Sequence, residues 1–340
     1  MKFARRCRPG DRIQPSGYKV AIIGAGPAGL GAAGELICYG HEVHVYDMLP
    51  EPGGLLIFGI PEFRIPKEGV RRGIKELVEL GVNFHLNTKV GVDIEFDDIL
   101  REFDAILIAT GTWKSRRLKV PGEDLQGVYH ALEFIVDYHL YKYGYSSEEV
   151  RLSDRVIVIG GGLTAVDACY LAREAGADEV FIFYRRTREF APAGVREFNK
   201  LEENGFKIYE LTQPIEFIGE DGKLRYVKAI RMKLGEKDSS GRPKPVPIEN
   251  SDFTIEASAV LVAAGEIATP PFIDEKYGIE LTKWNTIKTD KEYKTTRKGV
   301  FAAGDVVTGP SLIGPALASG KKAAISIHKY LTTKEWKWVE

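Results

Sequence analysis

Residues 19–47 read KVAIIGAGPAGLGAAGELICYGHEVHVYD, and the fold hangs on them. A short β-rich apolar run leads into Gly24-Ala25-Gly26-Pro27-Ala28-Gly29. An alanine-rich helical stretch follows, then a break at Gly40 and a second β-rich run ending on Asp47. The pattern is β-α-β, with a strand expected over Lys19–Ile23 and a helix over Pro27–Cys38. Each glycine of the G-x-G-x-x-G turn has a task. Gly24 permits the tight turn, Gly26 lets the backbone approach a pyrophosphate, and Gly29 lets helix and strand pack closely. The helix start offers unpaired N–H groups and the positive end of a dipole. Asp47, 18 residues after Gly29, can accept hydrogen bonds from a ribose hydroxyl.

The unit recurs. Residues 155–186 read RVIVIGGGLTAVDACYLAREAGADEVFIFYRR, with a strand over Arg155–Ile159 and the turn Gly160-Gly161-Gly162-Leu163-Thr164-Ala165, a G-x-G-x-x-A. AILIATG (105–111) and AVLVAAG (259–265) are echoes of one another, and GVFAAGD (299–305) is a third variant. The expected fold class is therefore α/β, with two Rossmann-like dinucleotide-binding domains, the second inserted in the first. The expected boundaries are an N-terminal arm over 1–17, a first domain over 18–115 and 290–340, and a second over 116–289. Residues 205–257 alternate β-rich runs and turns, as an antiparallel extension of the second domain would. Residues 289–299 read as a crossing loop.

Aligned on their second strands, the two units differ at one telling place. Asp47 of the first matches Tyr184 of the second, and Arg185 and Arg186 come next. An Asp there repels a 2′-phosphate, whereas arginines grip one through charge-assisted hydrogen bonds. The first unit should take an unphosphorylated ribose, as in FAD. The second should prefer NADP over NAD.

The bulk properties exclude several function classes. The chain has 340 residues and a net charge of -1, which argues against nucleic acid as the main partner. No apolar run is long enough for a membrane span, and no secretory leader is visible in the charged N-terminus, so a cytoplasmic location is expected. Three cysteines, Cys7, Cys38 and Cys169, with no C-x-x-C pair, cannot make a disulfide framework and suit a reducing compartment. Cys169 reads as core.

The run EPGGLLIFGIPEFRIPK (51–67), with Tyr184-Arg185-Arg186 and Gly299–Asp305, resembles the small-subunit family of glutamate synthase over about residues 18–330. That family is one of flavin reductases with two dinucleotide-binding domains. The resemblance implies that Gly24, Gly26, Pro27, Ala28 and Gly29 hold the FAD pyrophosphate, with Asp47 and Met48 at the adenosine ribose. Gly54, Leu55 and Arg64 would lie along the cofactor, and Val90 would meet the adenine through its backbone. Ala109, Thr110 and Gly111 would cross beneath the flavin, and Gly304 and Asp305 would contact its ribityl and phosphate part. Pro315, at the first position of a helix, and Ala316 would face the pyrimidine edge. Gly160, Gly162, Leu163, Thr164, Arg185, Arg186 and Gly265 would line the NAD(P) site.

The chain departs from the family's pattern in three ways. It carries only a short arm where the family has an iron–sulfur domain, Leu163 stands where an Asn is usual, and Glu266 follows the Ala263-Ala264-Gly265 crossing. Hydride transfer from nicotinamide to flavin needs no acid or base, so no catalytic side chain is named. The expected activity is that of an FAD-dependent NAD(P)H oxidoreductase passing electrons to an external redox protein or to further subunits of a complex. Cys7 and Cys38 are the candidate metal ligands, for an iron–sulfur cluster shared between two chains of a homodimer or with a partner. The short arm and Cys38 at the end of the first helix add a resemblance to the flavoprotein subunit of heterodisulfide-reductase-like complexes. That resemblance implies the alternative of an electron-transfer subunit with a weak nucleotide site.

Overall fold

Residues 19–47 fold as their pattern dictates. Strand β1 (Lys19–Ile23) passes through the glycine turn into helix α1 (Pro27–Cys38) and returns as β2 (Glu42–Tyr46). The chain continues through α2 (Leu55–Phe58), α3 (Lys67–Glu79), β3 (Asn83–His85), α4 (Phe96–Glu102) and β4 (Ala105–Ile108). The two-residue strands β5 (Lys114–Ser115) and β15 (Glu266–Ile267) straddle the two places where the chain changes unit. Between them run β6 (Val128–His130), α5 (Ala131–Lys142), β7 (Arg155–Ile159), α6 (Leu163–Glu174), β8 (Glu179–Phe183), α7 (Val195–Glu203) and β9 (Lys207–Tyr209). Then come β10 (Thr212–Glu220), β11 (Lys223–Lys237), β12 (Pro243–Pro247), β13 (Phe253–Glu256) and β14 (Ala259–Val262). The chain closes with β16 (Val300–Ala302), α8 (Asp305–Thr308) and α9 (Ile313–Thr333). This is a computed structural model, and it describes residues 1–238 and 241–339.

Unit 1 comprises Met1–Lys114 with Ile267–Glu340, and unit 2 is Ser115–Glu266. Each holds a five-stranded parallel sheet, in the orders β16-β4-β1-β2-β3 and β6-β14-β7-β8-β9. Four strands share one order, β4-β1-β2-β3 and β14-β7-β8-β9, while the outer fifth strand is the last of unit 1 (β16) and the first of unit 2 (β6); the hydrogen bonds at the turns repeat too. Gly24 N–H donates to the Tyr46 carbonyl at 2.8 Å, and Gly160 N–H to that of Phe183 at 3.0 Å. Ala109 N–H bonds the Ile23 carbonyl, and Ala263 N–H that of Ile159, both at 2.8 Å. The internal repeat thus extends to single bonds, and Asp47 and Tyr184 occupy equivalent places.

The strands are apolar on both faces because both faces are covered. In unit 2, Val156 and Val158 pack under Phe134, Ile135 and Val166 of the helical layer. Ile157 and Ile159 point the other way, onto Phe217, Leu224 and Val227 of the antiparallel strands β10–β13. The expected antiparallel extension is present and supplies the second cover.

Three expectations about organisation differ from the structure. The second crossing comes at residue 267, not 290, because Tyr277, Ile279 and Ile287 pack into the unit 1 core with Phe96 and Val300. Residues 289–299 are likewise folded into unit 1, where Lys294 and Thr295 are buried. The arm over 1–17 belongs to unit 1 as well. Phe3 is fully buried, and it reaches its place because α1 and α3 carry glycines there. A Cβ on Gly34 would stand 2.5 Å from the Phe3 carbonyl carbon, and one on Gly73 2.2 Å from the Met1 oxygen.

Candidate functional site: two glycine turns and what surrounds them

In unit 1 the first glycine turn is enclosed by segments far apart in the chain. A Cβ on Gly24 would lie 2.4 Å from the Ala109 oxygen, and one on Gly29 1.9 Å from the Gly24 oxygen, so both approaches require glycine. Gly53 N–H bonds the Ala25 carbonyl at 2.9 Å, and a Cβ on Gly54 would come to 3.0 Å from the Gly26 Cα. The run after Asp47 is thereby seated on the turn. Lys67 holds that run from behind: it is buried, and its Nζ donates to the carbonyls of Leu56 (2.6 Å) and Ile60.

Asp47 is buried at the end of β2. Its Oδ2 accepts Ala25 N–H at 2.6 Å and its Oδ1 accepts Leu49 N–H at 2.8 Å. Burial raises its carboxyl above the ordinary range, against the two backbone donors. Each oxygen keeps a lone pair that a ribose hydroxyl can fill. Met48 beside it is exposed.

The C-terminal return completes the enclosure. A Cβ on Gly304 would meet the Ala28 Cβ at 2.8 Å, and one on Gly320 would meet the Ala28 oxygen at 1.9 Å. Ser319 joins the pieces: its Oγ accepts Gly304 N–H at 2.9 Å and donates to the Ala316 carbonyl at 2.7 Å. No sequence signal marks Ser319 or Gly320, since both act across a helix pair. Asp305 is half-buried, with its carboxyl raised by burial, and Oδ1 accepts the Ser311 hydroxyl at 2.6 Å. Pro315 stands at the third position of α9 rather than the first, because the helix already begins at Ile313. Proline fits there equally, as first-turn N–H groups have no intrahelical partner.

The structure thus brings together Gly24, Gly26, Ala28, Gly29, Asp47, Gly54, Ala109, Gly304 and Ala316. Leu55 opens α2 directly after Gly54, Val90 is buried in the same core, and Arg64 lies half-buried over the Phe63 ring. Gly111 follows Thr110 with φ 72°, a left-handed position that suits glycine.

Two observations test whether a dinucleotide fits here. The α1 N-terminus has no capping side chain and no acidic residue in its first turn, and a Cβ on Gly26 would meet nothing within 4 Å. Open space therefore faces the unpaired N–H groups, as a diphosphate needs. Thr110 Oγ1 is buried without a hydrogen-bond partner among the described residues, an acceptor and donor that a ligand would satisfy. The residues fit FAD.

The turn in unit 2 fits a second dinucleotide for the same reason. At α6 the cap is Gly162, with no side-chain cap and no first-turn acid, and a Cβ on Gly162 would meet nothing within 4 Å. Leu163 at the helix start is exposed, Thr164 half-buried, and Gly265 exposed at φ 95°. Tyr184, in the place of Asp47, is buried with its hydroxyl donating to the Phe190 carbonyl at 2.8 Å. Its ring explains Gly161, to which the sequence assigns no role: a Cβ there would stand 2.3 Å from the ring. Arg185 is exposed at the strand end. Arg186 is not: its side chain is 4% exposed and bonded within the protein.

The cysteines differ most from expectation. Cys7 and Cys38 are joined in a disulfide, with Cα atoms 5.5 Å apart, so neither offers a thiolate to a metal in this structure. The arm runs back along α1 far enough to bring the two sulfurs together, which sequence spacing does not reveal. Among the described residues no group of three or more His, Cys, Asp or Glu is arranged to hold a metal ion. With both sulfurs in the disulfide, Cys7 and Cys38 do not supply ligands for a cluster shared between two chains. Cys169 is buried core, as expected. Among the described residues no helix is long and apolar enough to cross a membrane.

Comparison with known proteins agrees with this geometry. Residues 18–320 match the family model of the pyridine nucleotide-disulphide oxidoreductases. The chain is 39% identical over 335 residues to the small chain of NADPH glutamate synthase of Azospirillum brasilense, covering 96% of this chain and 69% of that protein. It is 40% identical over 319 residues to the NADP-dependent formate dehydrogenase subunit beta of Moorella thermoacetica. That match covers 93% of this chain but only 44% of the subunit, so the chain spans about half of that relative's length. The fold matches that of Mycobacterium tuberculosis FprA in complex with NADPH, at a TM-score of 0.74 and 22% identity, over 94% of this chain and 85% of FprA. With the two glycine turns, the buried Asp47 and these matches together, the chain belongs to the pyridine nucleotide-disulphide oxidoreductase family, as a flavin-dependent NAD(P)H oxidoreductase.

Proposed function

We propose that unit 1 holds FAD, that unit 2 takes NADPH in preference to NADH, and that the electrons pass on to an external redox protein or to further subunits of a complex. One observation carries the nucleotide preference. Within identical bonding frames, unit 1 has a carboxylate at the end of its second strand, and unit 2 has a buried tyrosine followed by an exposed arginine. A carboxylate favours two ribose hydroxyls and repels a 2′-phosphate, while a guanidinium does the reverse.

The chemistry itself, hydride acceptance and onward delivery of electrons, is what a bound flavin supplies. This chain's residues bind and orient. The α1 N-terminus and Gly26 take the diphosphate, Asp47 the adenosine ribose, and Gly304, Asp305 and Ala316 the flavin end. Gly160, Gly162 and Thr164 take the nucleotide diphosphate, and Arg185 the 2′-phosphate. The start of α9, with no acidic residue in its first turn, presents a positive dipole end suited to the negative charge of a reduced flavin. A cytoplasmic location goes with a reaction that draws on NADPH.

A second reading, an electron-transfer subunit with a weak nucleotide site, draws on Leu163. It is 40% exposed at the first position of α6, an apolar side chain beside the expected diphosphate. A heterodisulfide-reductase-like or ferredoxin-linked complex is the setting that this reading implies.

Anaerobic mixing of the flavin-loaded chain with NADPH and with NADH, followed by flavin absorbance, separates the readings. Rapid bleaching by NADPH and slow bleaching by NADH are expected. Equal rates would refute the arginine assignment, and no bleaching by either would favour the second reading.

A further inference from the structure

The outer edge of unit 2 carries a groove that the nucleotide chemistry does not use. β6 is the outermost strand of its sheet and pairs with β14. Val260 N–H donates to the Gly127 carbonyl at 2.8 Å, so by the alternation of a parallel pair the peptide groups of Tyr129 face β14. The Val128 carbonyl and the His130 N–H therefore face the open side of the sheet. Beside them lies a cavity of about 320 Å³, walled by β6, the first two turns of α5 and residues 149–152.

The floor of the groove is apolar. Phe134 and Leu152 are buried, and Val128 and Val150 are partly buried against the core. The rim is acidic, with the exposed Glu133, Asp137 and Glu149 set against a single exposed Arg151. Glu133 and Asp137 stand one turn apart on α5, a spacing at which like charges destabilise a helix. Among the described residues no hydrogen bond or ion pair engages the side chains of these four. Burial, and then the charge of Glu148, push the Asp137 carboxyl above its ordinary range, and no cation offsets them. On the same wall, His130 Nδ1 is buried without a hydrogen-bond partner among the described residues.

The three features suit one kind of occupant. An extended segment laid along β6 pairs with the open backbone groups. Lysine and arginine side chains suit both parts of the groove, because the apolar stem covers the floor while the charged head meets the rim. We propose that this groove docks an extended, lysine- or arginine-bearing segment of a partner protein, added as a further strand beside β6. The inference is independent of which nucleotide unit 2 prefers.

The probe is a fluorescent, end-capped hexapeptide alternating lysine and valine, titrated by anisotropy into the full flavin-loaded chain at low salt. Its counterpart alternating glutamate and valine is the control. The lysine peptide should bind at least tenfold more tightly, and rising salt should erase the difference. The triple variant E133Q/D137N/E149Q, having lost three exposed charges, should bind the lysine peptide roughly tenfold more weakly. Its urea midpoint should not fall below the parent's, which shows that unit 2 is still folded. A fully N-methylated lysine peptide, with no N–H to donate, should also bind at least tenfold more weakly.

Equal binding of the lysine and glutamate peptides overturns the proposal, as does a triple variant that binds like the parent. Equal binding of the methylated and unmethylated peptides overturns the added strand. Spermidine that displaces the peptide at equal charge concentration would make the occupant a small polyamine instead. A parent chain that self-associates through the same three carboxylates would make it a second copy. Flavin bleaching by NADPH is read separately, so the proposed function stands or falls apart from this groove.

Discussion

Removing Cys38 should destabilise unit 1 by an amount set by chain length rather than by contacts. The Cys7–Cys38 disulfide closes a loop of 31 residues. Loop-closure entropy for that length corresponds to about 4 kcal/mol at 25 °C, acting on the unfolded chain. In urea, with an m-value of about 2 kcal/mol/M for a unit of this size, C38S should lower the unfolding midpoint by about 2 M. A reductant should lower the parent's midpoint equally and leave C38S unmoved. The arm has other anchors. Phe3 is fully buried, worth about 2 kcal/mol. Arg6 forms an ion pair with the Glu35 carboxylate at 2.9 Å. Reduction should therefore cost stability while the arm stays seated, with tryptic cleavage at Arg5 and Arg6 remaining slow. Thiol titration in denaturant should count one thiol, Cys169, before reduction and three after. Three thiols before reduction, or equal midpoints for C38S and the parent, would refute the disulfide reasoning. Iron bound to the parent and lost in C38S would restore the cysteines as metal ligands.

Other outcomes follow from the same structure. Gly320→Ala puts a methyl 1.9 Å from the Ala28 oxygen, so α1 and α9 must part; unfolding free energy should fall by about 2 kcal/mol and flavin content with it, measured by denaturation and absorbance. Gly161→Ala would collide with the Tyr184 ring at 2.3 Å; unlike Gly320→Ala, it should weaken NADPH binding while flavin content stays unchanged. His41 is lowered from 6.5 to about 4, chiefly by burial and then by His328, whose Nδ1 stands 3.0 Å from its Nε2; Asp104 opposes, and Ser16 Oγ lies 2.7 Å from Nδ1. Its unfolded form binds more protons between pH 4 and 6.5, so it contributes stability above pH 6.5 that is lost as pH falls to 4. Urea midpoints across that range should slope less in H41N than in the parent; an unchanged slope would remove His41 as the cause.

Sequence alone determined the two glycine turns, their strands and helices, the duplicated parallel sheet and the exchange of Asp47 for Tyr184-Arg185. These are legible because they are local. A turn where a Cβ would strike the backbone, as at Gly24 and Gly29, admits only glycine, and strand and helix periods repeat every two or 3.6 residues. The fates of individual polar groups were decided elsewhere. Arg185 and Arg186 are adjacent in sequence and alternate in direction, so one faces out and the other finds Asp238 across the antiparallel layer. Ser319 matters because α9 lies close against α1, and Cys7 because the arm crosses glycines on two helices. Residues 267–289 join unit 1 through aromatic packing that has no period to read. Each of these depends on which surfaces meet in three dimensions, and the pairing of surfaces is settled by the packing of the whole core rather than by any one stretch of chain.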